Sequence, residues 1–118
     1  MTEVKLNNKF TLNDKYNLLE GRIILSGIQA LVRLLLDQNR ADLIKGLNTG
    51  TLVSGYRGSP VGVLDINLMR NKKLIDQHNI KFIPGVNEDL GATLIYGSQM
   101  AGMVSNVKYD GVMGMWYG

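Results

Sequence analysis

The amino-acid sequence predicts an α/β fold built on a parallel sheet. Segments with helical spacing alternate with short apolar segments that glycines bound, and 118 residues are enough for one small domain. Hydrophobic residues make up 45% of the chain and charged residues 19%, as in an ordinary globular domain. We therefore expect a three-layer domain over residues 21–118, preceded by an irregular segment over residues 1–20.

The first half of that domain predicts one helix and one strand. Apolar residues recur at helical spacing at Ile24, Ile28, Leu31 and Leu35, and we predict a helix over residues 26–45. Ser26 is a suitable cap for the start of this helix, and Gly46 for its end. The apolar segment Thr51–Val53 follows, bounded by glycines, which is typical of a buried strand.

The second half continues the alternation. Ser59 and Pro60 predict the cap and first turn of a helix that stops at Asn79. A strand of about five residues follows, then a third helix over residues 87–104 with many small residues, then a final strand over residues 112–118. Three strands are few for a sheet covered on both faces, and no helix follows the last strand. We expect the chain to be an incomplete N-terminal fragment of a longer protein or one part of an obligate assembly.

Composition excludes several classes of function. The net charge is +3 and the pI about 9.3, but the basic residues form no stripe with interleaved aromatics, so we expect no nucleic-acid partner. The absence of cysteine excludes disulfides and iron–sulfur ligation within this chain, and a single histidine, His78, excludes a His-rich metal site. The N-terminus is polar and the apolar segments carry charges, so we expect no membrane span and a cytoplasmic location.

The loops that leave the strands are the expected ligand site, because open parallel sheets bind ligands beyond the carboxyl ends of their strands. These loops are "SGYRGSP", "PGVNED" and "WYG". In the second loop, Glu88 and Asp89 stand where the third helix begins. Asn87 would cap that helix, and the two acids would complement its positive end. The alternative is that the Glu88 carboxyl serves a ligand in a half-buried pocket at the strand exit.

Four segments resemble consecutive blocks of the indolepyruvate ferredoxin oxidoreductases, in their long fused-chain form. They are "FTLNDKYNLLEGRIILSGIQALVRLLL", "LVSGYRGSPVGVLD", "FIPGVNEDLGATLIYGSQ" and "KYDGVMGMWYG", and together they cover the chain from about residue 10 to Gly118. The resemblance implies a fold of the thiamine diphosphate-binding type, with this chain as the N-terminal pyrimidine-binding domain. The family oxidatively decarboxylates aryl or branched 2-oxoacids to acyl-CoA and passes the electrons to ferredoxin.

The resemblance also implies roles for single residues. Glu88 would be the catalytic glutamate that bonds a ring nitrogen of the cofactor's aminopyrimidine, and partial burial would help by raising its pKa. Gly55, Tyr56 and Gly58 would line the pyrimidine pocket with Glu88.

Two further residues of the first loop have two interpretations each. Ser59 is either a helix cap or a contact to the substrate. Arg57 would either meet the substrate carboxylate or, as we favour, be a surface charge or part of an interdomain ion pair. Trp116 and Tyr117 at the last strand exit would line the pocket or belong to the core.

The remaining parts of such an enzyme are not in this sequence. Mg²⁺ bound by a Gly-Asp-Gly motif and the iron–sulfur clusters would belong to the remainder of the enzyme, since Asp110 is preceded by Tyr109 and no cysteine is present. The implied partners are ferredoxin, CoA, the remaining domains and a second copy in a homodimer. We expect this chain to be inactive alone. The alternatives are another thiamine diphosphate 2-oxoacid oxidoreductase and a non-catalytic interaction module that retains the fold.

Overall fold

The computed structural model describes residues 8–118, which form a small α/β domain with a parallel sheet. The helices are α1 (Asp14–Asn17), α2 (Gly27–Ile44), α3 (Val63–Arg70), α4 (Lys72–Gln77) and α5 (Glu88–Gln99), and the strands are β1 (Thr49–Gly55), β2 (Ile80–Phe82) and β3 (Gly111–Tyr117). One turn of 3₁₀ helix, Ala101–Met103, follows α5. The predicted alternation of helices and strands and the parallel sheet are confirmed.

The sheet has the strand order β2-β1-β3, and both pairs are parallel. Thr51 in the central strand lies opposite Ile80 on one side and Met113 on the other. The chain passes from the central strand β1 to β2 on one side of it, and then crosses back to β3 on the other side. The strand order therefore reverses beside β1, and a reversal of this kind opens a crevice at the carboxyl ends of the strands on either side of it.

The core lies on one face of the sheet, beneath α2, α3 and α4. Alternate side chains of β1 point to this face, and Val53 is fully buried there with Leu35, Leu36, Leu64 and Leu68. Leu35 and Leu36 lie on the apolar side of α2 that the helical spacing predicts. Burying such a side chain contributes about 1.5–3 kcal/mol, so this face supplies most of the apolar stabilisation.

Among the described residues, the opposite face of the sheet carries α5 and the 3₁₀ turn that follows it. Gly91 is buried at the start of this helix, where a methyl group would lie 3.4 Å from the Ser54 hydroxyl and 3.5 Å from the indole nitrogen of Trp116. Further along α5 the small residues face open space: a methyl group on Gly97 would meet nothing within 4 Å. The small-residue side predicted for the third helix is thus packed on the sheet only at its first turn.

Residues 8–20, the described part of the predicted irregular segment, contain one helical turn that docks on α2. Tyr16 is buried, and Arg40 of α2 donates a 2.7 Å hydrogen bond to its carbonyl oxygen. Arg33 donates to the carbonyl oxygens of Lys15 and Leu18. These charge-assisted bonds satisfy carbonyl groups at the end of α1 and fix the segment to the core. Residues 1–7 of the predicted segment lie outside the described residues.

Most predicted boundaries are correct because local signals set them. Ser26 and Gln29 form a capping box at the start of α2. Asn79, the predicted stop, has a φ of 54°, a left-handed conformation that asparagine tolerates. β2 has three residues rather than about five, although the Ile83 and Gly85 amides still donate to the Val53 and Gly55 carbonyls of β1.

The prediction of one continuous helix from Ser59 to Asn79 is wrong. The structure has two helices, α3 and α4, with a break at Asn71. The Asn71 side chain donates a 2.8 Å hydrogen bond to the Asn67 carbonyl, so it competes with the helical backbone for that acceptor. The third helix is also shorter than predicted: α5 ends at Gln99 and continues only as the 3₁₀ turn.

No helix in residues 8–118 has the length and apolarity needed to cross a membrane.

Candidate functional site

The candidate site lies at the carboxyl ends of β1 and β3, where the strand order reverses. Three segments meet there: residues 55–62 after β1, residues 84–88 before α5, and residues 116–118 at the end of β3. The Gly85 amide donates a 2.9 Å hydrogen bond to the Gly55 carbonyl, and the Tyr56 amide donates at 3.3 Å to the Tyr117 carbonyl. The three predicted strand-exit loops are therefore joined by their backbones at one edge of the sheet.

Gly55 is required by the close approach of these backbones. A methyl group at this position would overlap the Tyr117 carbonyl oxygen and would lie 2.6 Å from two carbons of its ring. At Gly58 a methyl group would overlap the Tyr56 ring, which is 37% exposed. Gly55, Tyr56 and Gly58, the residues predicted to line a pocket, thus lie together around the end of β1.

Glu88 is the first residue of α5 and lies beside the end of β3. Its carbonyl oxygen accepts a 3.2 Å hydrogen bond from the indole nitrogen of Trp116, and a methyl group on Gly118 would lie 3.4 Å from its Cγ. The helix is capped as predicted, since the Asn87 side-chain oxygen accepts a 2.8 Å bond from the Leu90 amide. Trp116 therefore anchors the start of α5, and with it the Glu88 backbone, to the end of the sheet.

The Glu88 side chain is exposed in this chain, so the expected partial burial is absent. Within residues 8–118 its carboxylate has no hydrogen-bond or ion-pair partner. Glu88 and Asp89 both stand in the first turn of α5, where an acid complements the positive end of the helix, an effect of about 0.3–1 kcal/mol. The position thus satisfies the helix-end interpretation and also leaves the carboxylate free for a ligand at the sheet edge.

Ser59 does not cap a helix. Its hydroxyl oxygen accepts a 3.1 Å hydrogen bond from the Val61 amide, and α3 begins four residues later with Gly62 at the cap position. Ser59 therefore closes a local serine turn of the kind that shapes loops. The interpretation of Ser59 as a helix cap is wrong, and its hydroxyl proton remains available for another acceptor.

Arg57 makes an ion pair within the chain. Its Nε donates a 2.7 Å hydrogen bond to Asp65 Oδ2, and the two side chains are 65% and 2% exposed. The Arg57 guanidinium thus has one edge fixed on a buried carboxylate, and both interpretations of its outer edge stay predictions. This pair connects the loop after β1 to α3.

Three polar groups near this site are buried, and of these residues sequence reasoning had singled out Tyr117 but not Ser54 or Asp65. Ser54 Oγ, Asp65 Oδ1 and the Tyr117 hydroxyl are buried and have no hydrogen-bond partner in the described part of the chain. Burial raises the pKa of Tyr117, the Asp65 charge raises it further, and Arg57 partly opposes the rise. The sequence did contain one signal of a buried polar group, because Asp65 is an acid inside an apolar helical pattern. The position of Tyr117 also decides between its two interpretations, because the ring belongs to the core.

Metal binding and His78 also bear on the chemistry of the chain. The described residues contain no cluster of His, Cys, Asp and Glu that could hold a metal ion. The His78 ring lies at the end of α4, with Nδ1 3.0 Å from the Leu74 carbonyl oxygen. His78 thus makes a local contact with its own helix.

Comparisons of this chain with protein-family models, with curated proteins and with solved structures found no match.

Proposed function

We propose that this chain is the pyrimidine-binding part of a thiamine diphosphate-dependent 2-oxoacid oxidoreductase of the indolepyruvate ferredoxin type. The complete enzyme would convert an aryl 2-oxoacid, CoA and oxidised ferredoxin to acyl-CoA, CO₂ and reduced ferredoxin. The observation that carries the proposal is the position of Glu88, whose carboxylate has no partner within residues 8–118 and which lies beside the end of β3, where the three strand-exit loops meet. A cytoplasmic location, and Mg²⁺ and iron–sulfur clusters in the remainder of the enzyme, belong to the same proposal.

The three strand-exit loops are held close together at this edge. The space beside Gly55 is filled by Tyr117, and the space beside Gly118 is filled by the Trp116 ring, so these glycines allow the loops to approach one another. The Glu88 carboxylate has no competing partner within residues 8–118, so it is free to accept and return a proton. When bound, thiamine diphosphate supplies an electron sink for the decarboxylation of a 2-oxoacid.

Glu88 would hold a proton against a ring nitrogen of the aminopyrimidine. This role requires a carboxyl shielded from bulk water, and a covering domain would exclude that water. The Glu88 side chain is exposed in this chain, so this role would need a second domain or a second copy to cover it. Trp116 would position the carboxyl indirectly, because its indole N–H holds the first carbonyl of α5.

The experiment is a comparison of Glu88→Gln with Asp89→Asn in the complete enzyme. The two substitutions each remove one acid from the first turn of α5, so they cost the helix a similar amount. Glu88→Gln is expected to lower 2-oxoacid-dependent reduction of ferredoxin by about 10²–10⁴-fold, as loss of a positioned proton donor does. Asp89→Asn is expected to keep activity near that of the wild type, and equal activity of the two variants would count against the proposal.

A non-catalytic interaction module is the second candidate, and the exposed apolar side chains of α5 favour it. Leu90 and Tyr96 are 53% and 66% exposed, and Trp116 beside them is 48% exposed. Thiamine diphosphate binding separates the two candidates. In the complete protein, saturable binding of thiamine diphosphate measured by calorimetry supports the enzyme, and its absence supports the module. If the protein is an enzyme, a panel of 2-oxoacid substrates separates the indolepyruvate type from other 2-oxoacid oxidoreductases.

A further inference from the structure

An open groove of about 720 Å³ lies between the loop after β1 and the outer side of α3. Its walls are mainly apolar, formed by Pro60, Val63, Ile66 and Met69. The last three recur every third residue along α3 and are 45–57% exposed, so they make a continuous apolar strip. The volume falls within the range of about 300–1,000 Å³ that is usual for small-molecule sites.

Arg57 presents an oriented cation at one end of this groove. Its Nε is held by Asp65 at 2.7 Å, whereas its two Nη groups have no partner within residues 8–118. The Asp65 side chain is only 2% exposed and its Oδ1 is unpartnered, so the bond to Arg57 is the one hydrogen bond of this buried carboxylate among the described residues. The guanidinium is therefore fixed at one edge and keeps its outer pair of N–H donors for a ligand, and this fork matches the geometry of a carboxylate.

Arg70, the last residue of α3, adds a second cation to the lining. Within residues 8–118 its guanidinium has no hydrogen-bond or ion-pair partner. The charged groups of the groove are Arg57, Arg70 and Asp65, two cations and one anion, which leave one net positive charge. This balance suits a monoanion better than a dianion such as a phosphate monoester.

We propose that this groove binds an apolar monocarboxylate, with the carboxylate on the Nη groups of Arg57 and the hydrocarbon body along Val63, Ile66 and Met69. An aryl 2-oxoacid belongs to this chemical class, but the inference does not rest on the proposed function. It uses α3 and the Arg57–Asp65 pair, and it requires neither Glu88 nor thiamine diphosphate. Failure of either proposal therefore leaves the other standing.

The test is a titration of the 118-residue chain with octanoate below the concentration at which it forms micelles, followed by amide chemical shifts. Octanol and octylamine carry the same hydrocarbon without the anion, and octyl phosphate carries a different anion. We expect saturable shifts around α3 with octanoate and weaker binding of the other three probes. If octanol or octylamine bound as tightly as octanoate, the proposal that the groove recognises a carboxylate would be overturned. Tighter binding of octyl phosphate would also overturn it and would show that the groove prefers a phosphate.

Variants of the two arginines sharpen the test. Arg57→Gln is expected to weaken octanoate binding by about ten- to a hundredfold, and Arg70→Gln by about two- to fivefold, because the Arg70 contact is not oriented by a partner. Arg57→Lys keeps the charge but not the fork, so it is also expected to weaken binding. The control is Arg22→Gln, which removes an exposed arginine outside the groove. Circular dichroism confirms that each variant is folded, and unchanged affinity in folded Arg57→Gln would overturn the proposal.

Discussion

The two faces of the sheet differ in how completely they are covered. On one face α2, α3 and α4 bury a contiguous apolar core, in which Leu35, Val53 and Leu64 are fully excluded from solvent. On the other face, within the described part of the chain, α5 and the 3₁₀ turn after it are the covering elements, and Gly91 is the one buried residue of α5. The first face provides stability, whereas the second exposes apolar side chains beside the candidate site. We infer that the uncovered face is the surface that another domain or subunit would cover in a complete enzyme.

The largest expected effect is a difference between the two faces in how much a leucine-to-alanine substitution destabilises the fold. Leu35→Ala in α2 is expected to lower the free energy of unfolding by about 2–5 kcal/mol, because it leaves a cavity in a closed core. Leu94→Ala in α5 removes the same atoms from a side chain that is 36% exposed. Chemical denaturation of the two variants measures the difference. Equal losses would show that α5 is packed as tightly as α2 and would remove the contrast between the faces.

A second comparison uses two glycines, one in a crowded part of the molecule and one on the exposed helix α5. Gly55→Ala at the crowded end of β1 is expected to lower the free energy of unfolding by about 1–3 kcal/mol, since the methyl group would overlap the Tyr117 carbonyl. Gly97→Ala in α5 meets open space and is expected to raise it by up to about 1 kcal/mol through helix propensity. Thermal unfolding of both variants gives the signs. A neutral Gly55→Ala would mean that the strand ends are not held together as closely as described.

The smallest expected effect concerns alkaline pH. The pKa of Tyr117 is raised in the folded chain by burial, then by the Asp65 charge, so the fold favours the neutral phenol. The stability from this group is present below its ordinary value of 10.0 and is lost as the pH rises through the raised folded value. Tyr117→Phe is therefore expected to lose less stability above pH 10.0 than the wild type does.

Burial also raises the pKa of Tyr16, so a residual alkaline loss should remain in Tyr117→Phe. The matched control is Tyr96→Phe on α5, where the side chain is 66% exposed. Its stability is expected to follow that of the wild type with pH. Denaturation midpoints measured across the alkaline range give the comparison, and superimposable curves for Tyr117→Phe and Tyr96→Phe would show that Tyr117 is not in a distinct environment.

Features set by local chemistry could be predicted from the sequence. The Ser26 cap, the helical spacing of α2, the Asn79 stop and the Asn87 cap of α5 each depend on a few neighbouring residues, and each is correct. The strand-exit loops were predicted to meet because parallel strands end at one edge of a sheet, and the backbone bonds between Gly55 and Gly85 agree.

Features set by competition or by distant contacts could not be predicted. The helix break at Asn71 depends on a side chain that competes with the backbone, and the serine turn at Ser59 displaces the helix start. The Arg57–Asp65 pair depends on how that loop turns back onto α3. Glu88 stands in the first turn of α5, where its side chain is exposed, and its exposure depends on how the residues around the strand ends pack, which the sequence of α5 alone does not determine.

The most direct test of the central claim, that Glu88 serves thiamine diphosphate, is a hydrogen-exchange rate in the complete enzyme. The measurement is the rate at which the proton on the reactive thiazolium carbon of the bound cofactor exchanges with deuterium, in the wild type, Glu88→Gln and Asp89→Asn. The account predicts a rate slower by about 10²–10⁴-fold in Glu88→Gln and a rate near that of the wild type in Asp89→Asn. Equal exchange rates in all three proteins would contradict it.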